Sequence, residues 1–119
     1  MSLLNKQKIC KDIAPDYTRL ASVKPELFNA ARMLIMQDLS AHGNVDFRDL
    51  KANMPGVTDG NLAGHLRLLE KAKLIQMRKG IVGRKVRTSY EITKEGRDAF
   101  EKFKEELRFF VKVSDLIYG

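Results

Sequence analysis

Residues 57–75 read VTDGNLAGHLRLLEKAKLI, and they carry the clearest helical pattern in the chain. Leu62, Leu66 and Leu69 are spaced by four and three residues, so they fall on one side of a helix that turns about 100° per residue. Thr58 suits the position before the first turn, because its hydroxyl can accept a hydrogen bond from an unpaired backbone N–H. The stretch predicts an amphipathic helix over residues 58–72 with its leucines buried.

The side opposite the leucines is polar or small. It carries candidate ligand-contacting residues, and with its flanks these are Thr58, Gly60, Asn61, Ala63, Gly64, His65, Arg67 and Lys71. Asparagine can bond adenine and arginine can bond guanine bidentately, each pair discriminating by ~1–3 kcal/mol. Each glycine costs about 1 kcal/mol of helix propensity relative to alanine, which a close approach to DNA would explain. The alternatives are a relaxed first turn at Gly60, neutral drift at Gly64 and a half-buried packing role for His65.

Helices are also predicted before this stretch. Pro25 suits a helix start, and the apolar run that follows predicts a central core helix ending at Gly43. A short helix is predicted over residues 47–53, where Pro55 and the preceding residue interrupt it. Two short helices therefore meet at a tight turn and pack on an earlier core helix.

The pattern after residue 73 changes to that of strands. Residues 74–78 can form one strand, and residues 86–92 alternate between apolar and polar types, as a half-buried strand does. Gly80 and Gly83 lie between them and predict a hairpin with a mobile tip. Thr93 begins a last helix that runs to about Leu116. The order of helix, helix, helix, hairpin and helix predicts a mostly helical α+β fold.

The predicted hairpin is strongly basic. Between residues 78 and 87 there are five cations and no acid: Arg78, Lys79, Arg84, Lys85 and Arg87. Such a hairpin can lie along phosphates or enter the minor groove of DNA, and the alternative is a solvated hairpin with incidental charge. Without an aromatic residue at its tip, base stacking on single strands is disfavoured. The pattern favours duplex DNA.

This arrangement resembles the winged helix-turn-helix regulators of bacteria and archaea, the MarR/ArsR-like group. Residues 57–75 resemble the family's recognition helix, residues 80–85 (GIVGRK) its wing, and residues 90–96 (YEITKEG) the step into the next helix. Lys73 stands where many relatives carry glycine. The resemblance implies three segments: an N-terminal helical extension over residues 1–23, a three-helix core with a two-stranded wing over residues 24–93, and a dimerisation helix over residues 94–119.

The last helix carries an apolar seam that favours a homodimer. The predicted dimerisation residues are Phe100, Phe103, Leu107, Phe110, Val111 and Ile117. Their spacing resembles that of a coiled coil, and a dimer would space two recognition helices about one DNA turn, ~34 Å, apart. The alternative is that this helix packs back on its own chain or on the N-terminal helix.

Composition narrows the class of protein. The chain has 119 residues, 22 Lys and Arg against 15 Asp and Glu, and a net charge of +7, which favours a polyanionic partner. No run reaches the ~18 apolar residues of a membrane span, and the N-terminus lacks the apolar core of a signal peptide. We find no phosphate loop, catalytic constellation or Cys/His cluster, and therefore predict no enzyme, no cofactor and no metal.

The sequence thus predicts a cytoplasmic, homodimeric regulator, a repressor, that binds double-stranded DNA. A cavity between the core helix and the dimer helices is where a small-molecule effector would bind, although the sequence identifies none. Two alternatives remain open. One is a protein-interaction module whose basic hairpin meets an acidic partner, and the other is a redox sensor in which Cys10 has its thiol pKa lowered by Lys8 and Lys11.

Overall fold

A computed structural model describes residues 17–119. Its elements, in chain order, are α1 (Tyr17–Ala21), a 3-10 turn (Pro25–Leu27), α2 (Ala30–His42), β1 (Val45–Asp46), α3 (Phe47–Ala52), α4 (Asp59–Lys71), β2 (Ile75–Val82), β3 (Lys85–Ile92) and α5 (Lys94–Tyr118). The described residues fall into two compact units, one of residues 26–100 and one of residues 17–25 with 101–119. This architecture confirms the predicted mostly helical winged helix fold. Most of the predicted N-terminal helical extension, residues 1–16, lies outside the described residues.

The first unit is built around one apolar core. The leucine side of α4 is buried as predicted, and apolar residues of the 3-10 turn, α2, α3 and the start of β2 are buried as well. The buried set is Leu27, Ile35, Met36, Leu39, Leu50, Leu62, Leu66, Leu69, Leu74 and Ile75. Burial of each such side chain contributes about 1.5–3 kcal/mol, so this core supplies the main stabilisation of the unit.

The central helix begins later than predicted. Pro25 lies in the 3-10 turn, and α2 begins at Ala30. The reason is a stronger start signal: Asn29 is extended, and its side-chain oxygen accepts a hydrogen bond from the Arg32 backbone N–H at 3.1 Å. The sequence also predicts that this helix is buried around most of its circumference. This prediction is wrong in part, because Leu34 is 57% exposed.

The sheet has three strands rather than the two predicted. β1 pairs with β3 through Val45 opposite Tyr90 and Asp46 opposite Ser89, giving the antiparallel order β1-β3-β2. A two-residue strand is too short for its periodicity to be recognised in a sequence. The hairpin loop is also tighter than expected, because Gly80 lies inside β2 opposite Arg87 and only residues 83–84 form the turn.

The exit from α4 depends on an unusual backbone conformation at Lys73. Its φ of +64° lies in the left-handed region, where the family's glycine would be unstrained. The Lys73 N–H donates to the Glu70 carbonyl at 2.9 Å and the Leu74 N–H to the Leu69 carbonyl at 3.0 Å. These two bonds form a Schellman motif, so the departure at Lys73 leaves the helix exit in the geometry typical of glycine.

The start of α5 is held against this exit. Thr93 caps α5 by accepting from the Gly96 N–H at 2.9 Å, and its hydroxyl donates to the Lys73 carbonyl at 2.7 Å. A Cβ on Gly96 would lie 1.8 Å from the Leu74 carbonyl oxygen, so only glycine permits this approach. The sequence YEITKEG therefore fixes the first turn of α5 against the end of α4.

The second unit contains an ion pair whose guanidinium stacks on an aromatic ring. Arg19 donates to both carboxylate oxygens of Glu106, at 2.8 and 3.2 Å, and its guanidinium lies 3.7 Å from the centroid of the Phe109 ring. Glu106 is buried, and its partner satisfies the charge.

The helices described over residues 17–119 include none with the length and apolar content of a membrane span.

Candidate nucleic-acid interface

The side of α4 that faces away from the core is open to solvent. Gly60, Asn61, Arg67 and Lys71 are exposed and Gly64 is half-buried, and we call these five residues the polar face of α4. The structure brings them together on one side of a single helix.

The remaining predicted residues of this helix lie at its start and on its flanks. Thr58 is exposed and serves as the N-cap, since its hydroxyl accepts from the Asn61 N–H at 3.1 Å. Ala63 and His65 are half-buried. Because Thr58 accepts one hydrogen bond from the helix, its hydroxyl can still donate its proton to a ligand and accept one further bond.

Neither glycine of the polar face is required by packing against residues 17–119. A Cβ at Gly60 would have no atom within 4 Å, and a Cβ at Gly64 would meet only Nη2 of Arg67 at 4.0 Å. Both glycines have ordinary helical backbone angles, so they are not there for a positive φ. The helix therefore carries two residues of low helix propensity that its own fold does not need.

His65 contacts the core helix rather than standing free. Its Nδ1 lies 3.2 Å from Nη1 of Arg32 on α2. Burial lowers the pKa of the imidazole below its usual 6.5, and the Arg32 charge lowers it further. At neutral pH the side chain is therefore an uncharged imidazole with one ring nitrogen engaged by Arg32.

The β2–β3 hairpin, residues 75–92, carries fewer free charges than its sequence indicated. Arg78 pairs with Glu91 at 2.6 Å and Arg87 pairs with Asp46 at 3.0 Å. The hydrogen bond from Arg78 holds the pKa of the Glu91 carboxyl below its usual range. The interpretation of five unopposed cations is thus wrong for these two arginines, because the sheet brings acids from outside residues 78–87 beside them.

Three cations of the hairpin have no acidic partner among the described residues. They are Lys79, Arg84 and Lys85, and all three are exposed. Arg84 lies at the two-residue tip beside Gly83, whose φ is +65°. Arg84 and Lys85 therefore place positive charge at the tip, whereas Lys79 lies opposite Thr88, between the rungs of Arg78 and Arg87.

The hairpin also has an exposed apolar pair that the sequence interpretation missed. Ile81 and Val86 are directly opposite each other across the two strands and are 76% and 68% exposed. The alternation in residues 86–92 assigned Val86 to the buried side with Tyr90. Tyr90 is buried, but the hairpin extends beyond the core, so the same side of the strand is bare at Val86. Only the length of the hairpin relative to the core could have revealed this.

A hollow of about 600 Å³ lies beside the base of the hairpin. Its lining comes from β1, the start of α3 and β3, and it includes Asp46, Phe47, Arg48, Asp49, Lys85, Val86, Arg87, Thr88 and Tyr90. Arg48 is an exposed cation that the sequence interpretation did not single out. Burial raises the pKa of the Tyr90 phenol, which is therefore uncharged at neutral pH.

The predicted dimerisation residues fall into two groups. Phe100, Phe103 and Ile117 are buried within the single chain, and Leu107 is half-buried. Phe110 and Val111 are 44% and 54% exposed. The alternative weighed from the sequence, that part of this helix packs within its own chain, thus describes the first group.

Among residues 17–119, no group of three or more His, Cys, Asp or Glu side chains is arranged to hold a metal ion. Cys10, with its neighbours Lys8 and Lys11, lies outside the described residues, so its redox role stays an open alternative.

Known proteins are similar to this chain in sequence and in fold. Residues 31–111 match the model of a family described as winged helix DNA-binding domain. An uncharacterised protein of Methanocaldococcus jannaschii is 32% identical over 83 residues, which cover 69% of this chain and 89% of that protein.

Two solved structures extend the comparison. One is a transcriptional regulator homologue from Pyrococcus horikoshii, with a TM-score of 0.71, 28% identity, and coverage of 80% of this chain and 92% of that one. The other is a transcriptional regulator of the MarR family from Enterococcus faecalis, which shares the fold at a TM-score of 0.64 and 16% identity over 97% and 91% of the two chains. The resemblance to winged helix regulators is confirmed, and the chain belongs to the family of winged helix DNA-binding domains.

Proposed function

We propose that the protein is a homodimeric transcriptional regulator, a repressor, that binds double-stranded DNA in the cytoplasm. The polar face of α4 and its flanking residues Thr58, Ala63 and His65 enter the major groove. The hairpin cations Lys79, Arg84 and Lys85 contact the backbone or the minor groove. The observation that carries this proposal is the polar face itself, which is exposed and has two glycines that the fold does not require.

The polar face has the chemistry that base recognition needs. Asn61 and Arg67 are exposed and can reach base edges as bidentate partners of adenine and guanine. Lys71, one turn beyond Arg67, supplies a charge for a phosphate. The absence of a side chain at Gly60 and Gly64 lets the helix backbone come close to the groove, which explains why helix propensity is given up there.

The hairpin supplies the part of binding that is independent of base sequence. Its tip cations are exposed and carry no acidic partner among residues 17–119. Arg78 and Arg87 retain their ion pairs with Glu91 and Asp46, and they act mainly by joining β2 to β3 and β3 to β1. Their contacts with phosphate, which the sequence predicts, would require them to share their donors with these acids.

Dimerisation uses the exposed part of the apolar seam on α5. Phe110 and Val111 are both exposed, and half-buried Leu107 adjoins them one turn earlier. A second copy would remove these apolar side chains from water, and two copies of α4 would then read a palindromic site.

Selection of bound duplexes from random DNA tests the proposal directly. We expect one preferred palindromic sequence, bound with an affinity that falls roughly 10³–10⁵-fold between 50 and 200 mM salt if ~6–10 phosphates are contacted. Asn61→Ala or Arg67→Ala should flatten the sequence preference, whereas Arg84→Glu with Lys85→Glu should weaken binding to all duplexes alike. Enrichment of no sequence, together with a weak salt dependence, would contradict the proposal.

One observation favours the second candidate function, a protein-interaction module. The exposed pair Ile81 and Val86 gives the hairpin an apolar patch beside its cations, which suits an acidic protein partner with an apolar groove. This function predicts that Ile81→Ser abolishes binding to a protein and leaves duplex affinity unchanged. Loss of duplex affinity in Ile81→Ser would instead favour DNA as the ligand of the tip.

A further inference from the structure

The contact between Arg32 and His65 determines which hydrogen bond His65 can offer. Nη1 of Arg32 lies 3.2 Å from Nδ1 of His65. A guanidinium has only N–H donors, so Nδ1 must act as the acceptor. In an uncharged imidazole the single proton then resides on Nε2, and burial together with the Arg32 charge keeps the pKa of this ring below its usual value.

Arg32 is itself held in place. Its backbone N–H is the one that Asn29 caps at the start of α2, and its Nε donates to the carbonyl oxygen of Glu26. Arg32 is therefore held once at its backbone and once at Nε of the guanidinium, while Nη1 reaches His65. The ring receives a fixed donor from the core helix rather than from a freely moving surface side chain.

The other ring nitrogen points away from Arg32, since the two nitrogens of imidazole are directed to different sides of the ring. His65 is half-buried, one turn after Asn61 on the same helix. Among the described residues, no hydrogen bond joins Nε2 to a protein group. An N–H donor at this edge of the polar face of α4 has a phosphate or a base acceptor as its natural partner.

We propose that Arg32 is a positioning residue for DNA recognition, which fixes His65 as the tautomer carrying its proton on Nε2 and so presents a neutral N–H donor beside the polar face of α4. This inference rests on the proposed function for the identity of the acceptor. The tautomer itself is a property of the free protein and can be measured without DNA.

Nitrogen NMR of the free, 15N-labelled protein at pH 8 tests the tautomer. We expect the His65 Nδ1 signal at an acceptor-type shift and a proton coupled to Nε2. His42 is an internal control, because its Nδ1 lies 3.2 Å from the carbonyl oxygen and from Oδ1 of Asp38, both acceptors, which favours a proton on Nδ1. In Arg32→Met the His65 signals should move toward an average of the two tautomers, and a His65 proton on Nδ1 in the wild type would overturn the inference.

DNA affinity tests whether the donor is used. A glutamine amide can take the place of Nε2–H, whereas the shorter asparagine places its amide near the position of Nδ1. His65→Gln should therefore bind the selected duplex within about threefold of the wild type, and His65→Asn and Arg32→Met should bind about tenfold more weakly, as expected for one lost hydrogen bond in the complex. Thermal unfolding of each variant confirms that the affinity is that of folded protein.

The outcomes separate the two proposals. Equal affinity of His65→Gln and His65→Asn would overturn the inference, since the position of the donor would not matter. A wild-type protein that selects no duplex would contradict the proposed function, while the nitrogen spectrum would still decide whether Arg32 fixes the tautomer.

Discussion

Replacement of Gly64 by alanine separates the stability of α4 from its fit to DNA. Alanine is more favourable than glycine in a helix interior by about 1 kcal/mol. The added Cβ meets nothing closer than Nη2 of Arg67 at 4.0 Å, at the flexible end of a side chain, so no steric cost offsets this gain. We therefore expect Gly64→Ala to raise the free energy of unfolding by about 1 kcal/mol. For a chain of this length, that raises Tm by roughly 3–5 °C.

The same substitution should weaken DNA binding. If the helix backbone approaches the groove at Gly64, a methyl group there must push the helix outward and lengthen the contacts of Asn61 and Arg67. Loss of one good base contact costs ~1–3 kcal/mol, so affinity for the selected duplex should fall by about ten- to a hundredfold. Urea unfolding gives the first quantity and fluorescence anisotropy with labelled duplex gives the second.

The two measurements together decide the argument. A higher Tm with unchanged affinity would refute the close-approach explanation and leave Gly64 as neutral drift. A lower Tm would refute the steric reasoning itself. Arg67→Ala is the matched control, because arginine and alanine have similar helix propensities, so it should lower the sequence preference of binding with little gain in stability.

Further predictions concern the fold and its pH dependence. Gly96→Ala should destabilise the protein by several kcal/mol, or prevent folding, because its Cβ would lie 1.8 Å from the Leu74 carbonyl oxygen; a Tm near that of the wild type contradicts this. Lys73→Gly should raise stability by roughly 0.5–1 kcal/mol in urea unfolding, since glycine adopts a φ of +64° without strain, and a loss would contradict it. The pKa of His65 is lower in the folded chain than its usual 6.5. As pH falls, the unfolded chain therefore binds a proton at this residue before the folded chain does. The free energy of unfolding is thus full above pH 6.5 and decreases below that pH. His65→Gln, which cannot be protonated there, should lose less stability between pH 7.5 and 5.5 than the wild type, and an equal loss would contradict this reasoning.

Local patterns in the sequence were sufficient for much of the fold. The leucine spacing of α4 and its Thr58 cap are set by residues within one or two turns, and the structure contains both. The sequence around Gly96 was recognised as a family feature, but its reason, a 1.8 Å conflict with a carbonyl from another element, is not local. The start of α2 was misassigned because two local signals, Pro25 and Asn29, compete, and only the folded chain selects Asn29.

For the candidate site as well, some features follow from the local sequence and others only from tertiary contacts. The sequence by itself determined which side of α4 is polar, that the hairpin is rich in cations and that the last helix carries an apolar seam, because periodicity and composition are properties of neighbouring residues. Only the tertiary structure decided that Arg78 and Arg87 meet acids, that Val86 is bare and that His65 bonds Arg32. These pairs are separated by 13 to 41 positions, or depend on where the core ends, and the chain brings them together only when the sheet and the helices pack.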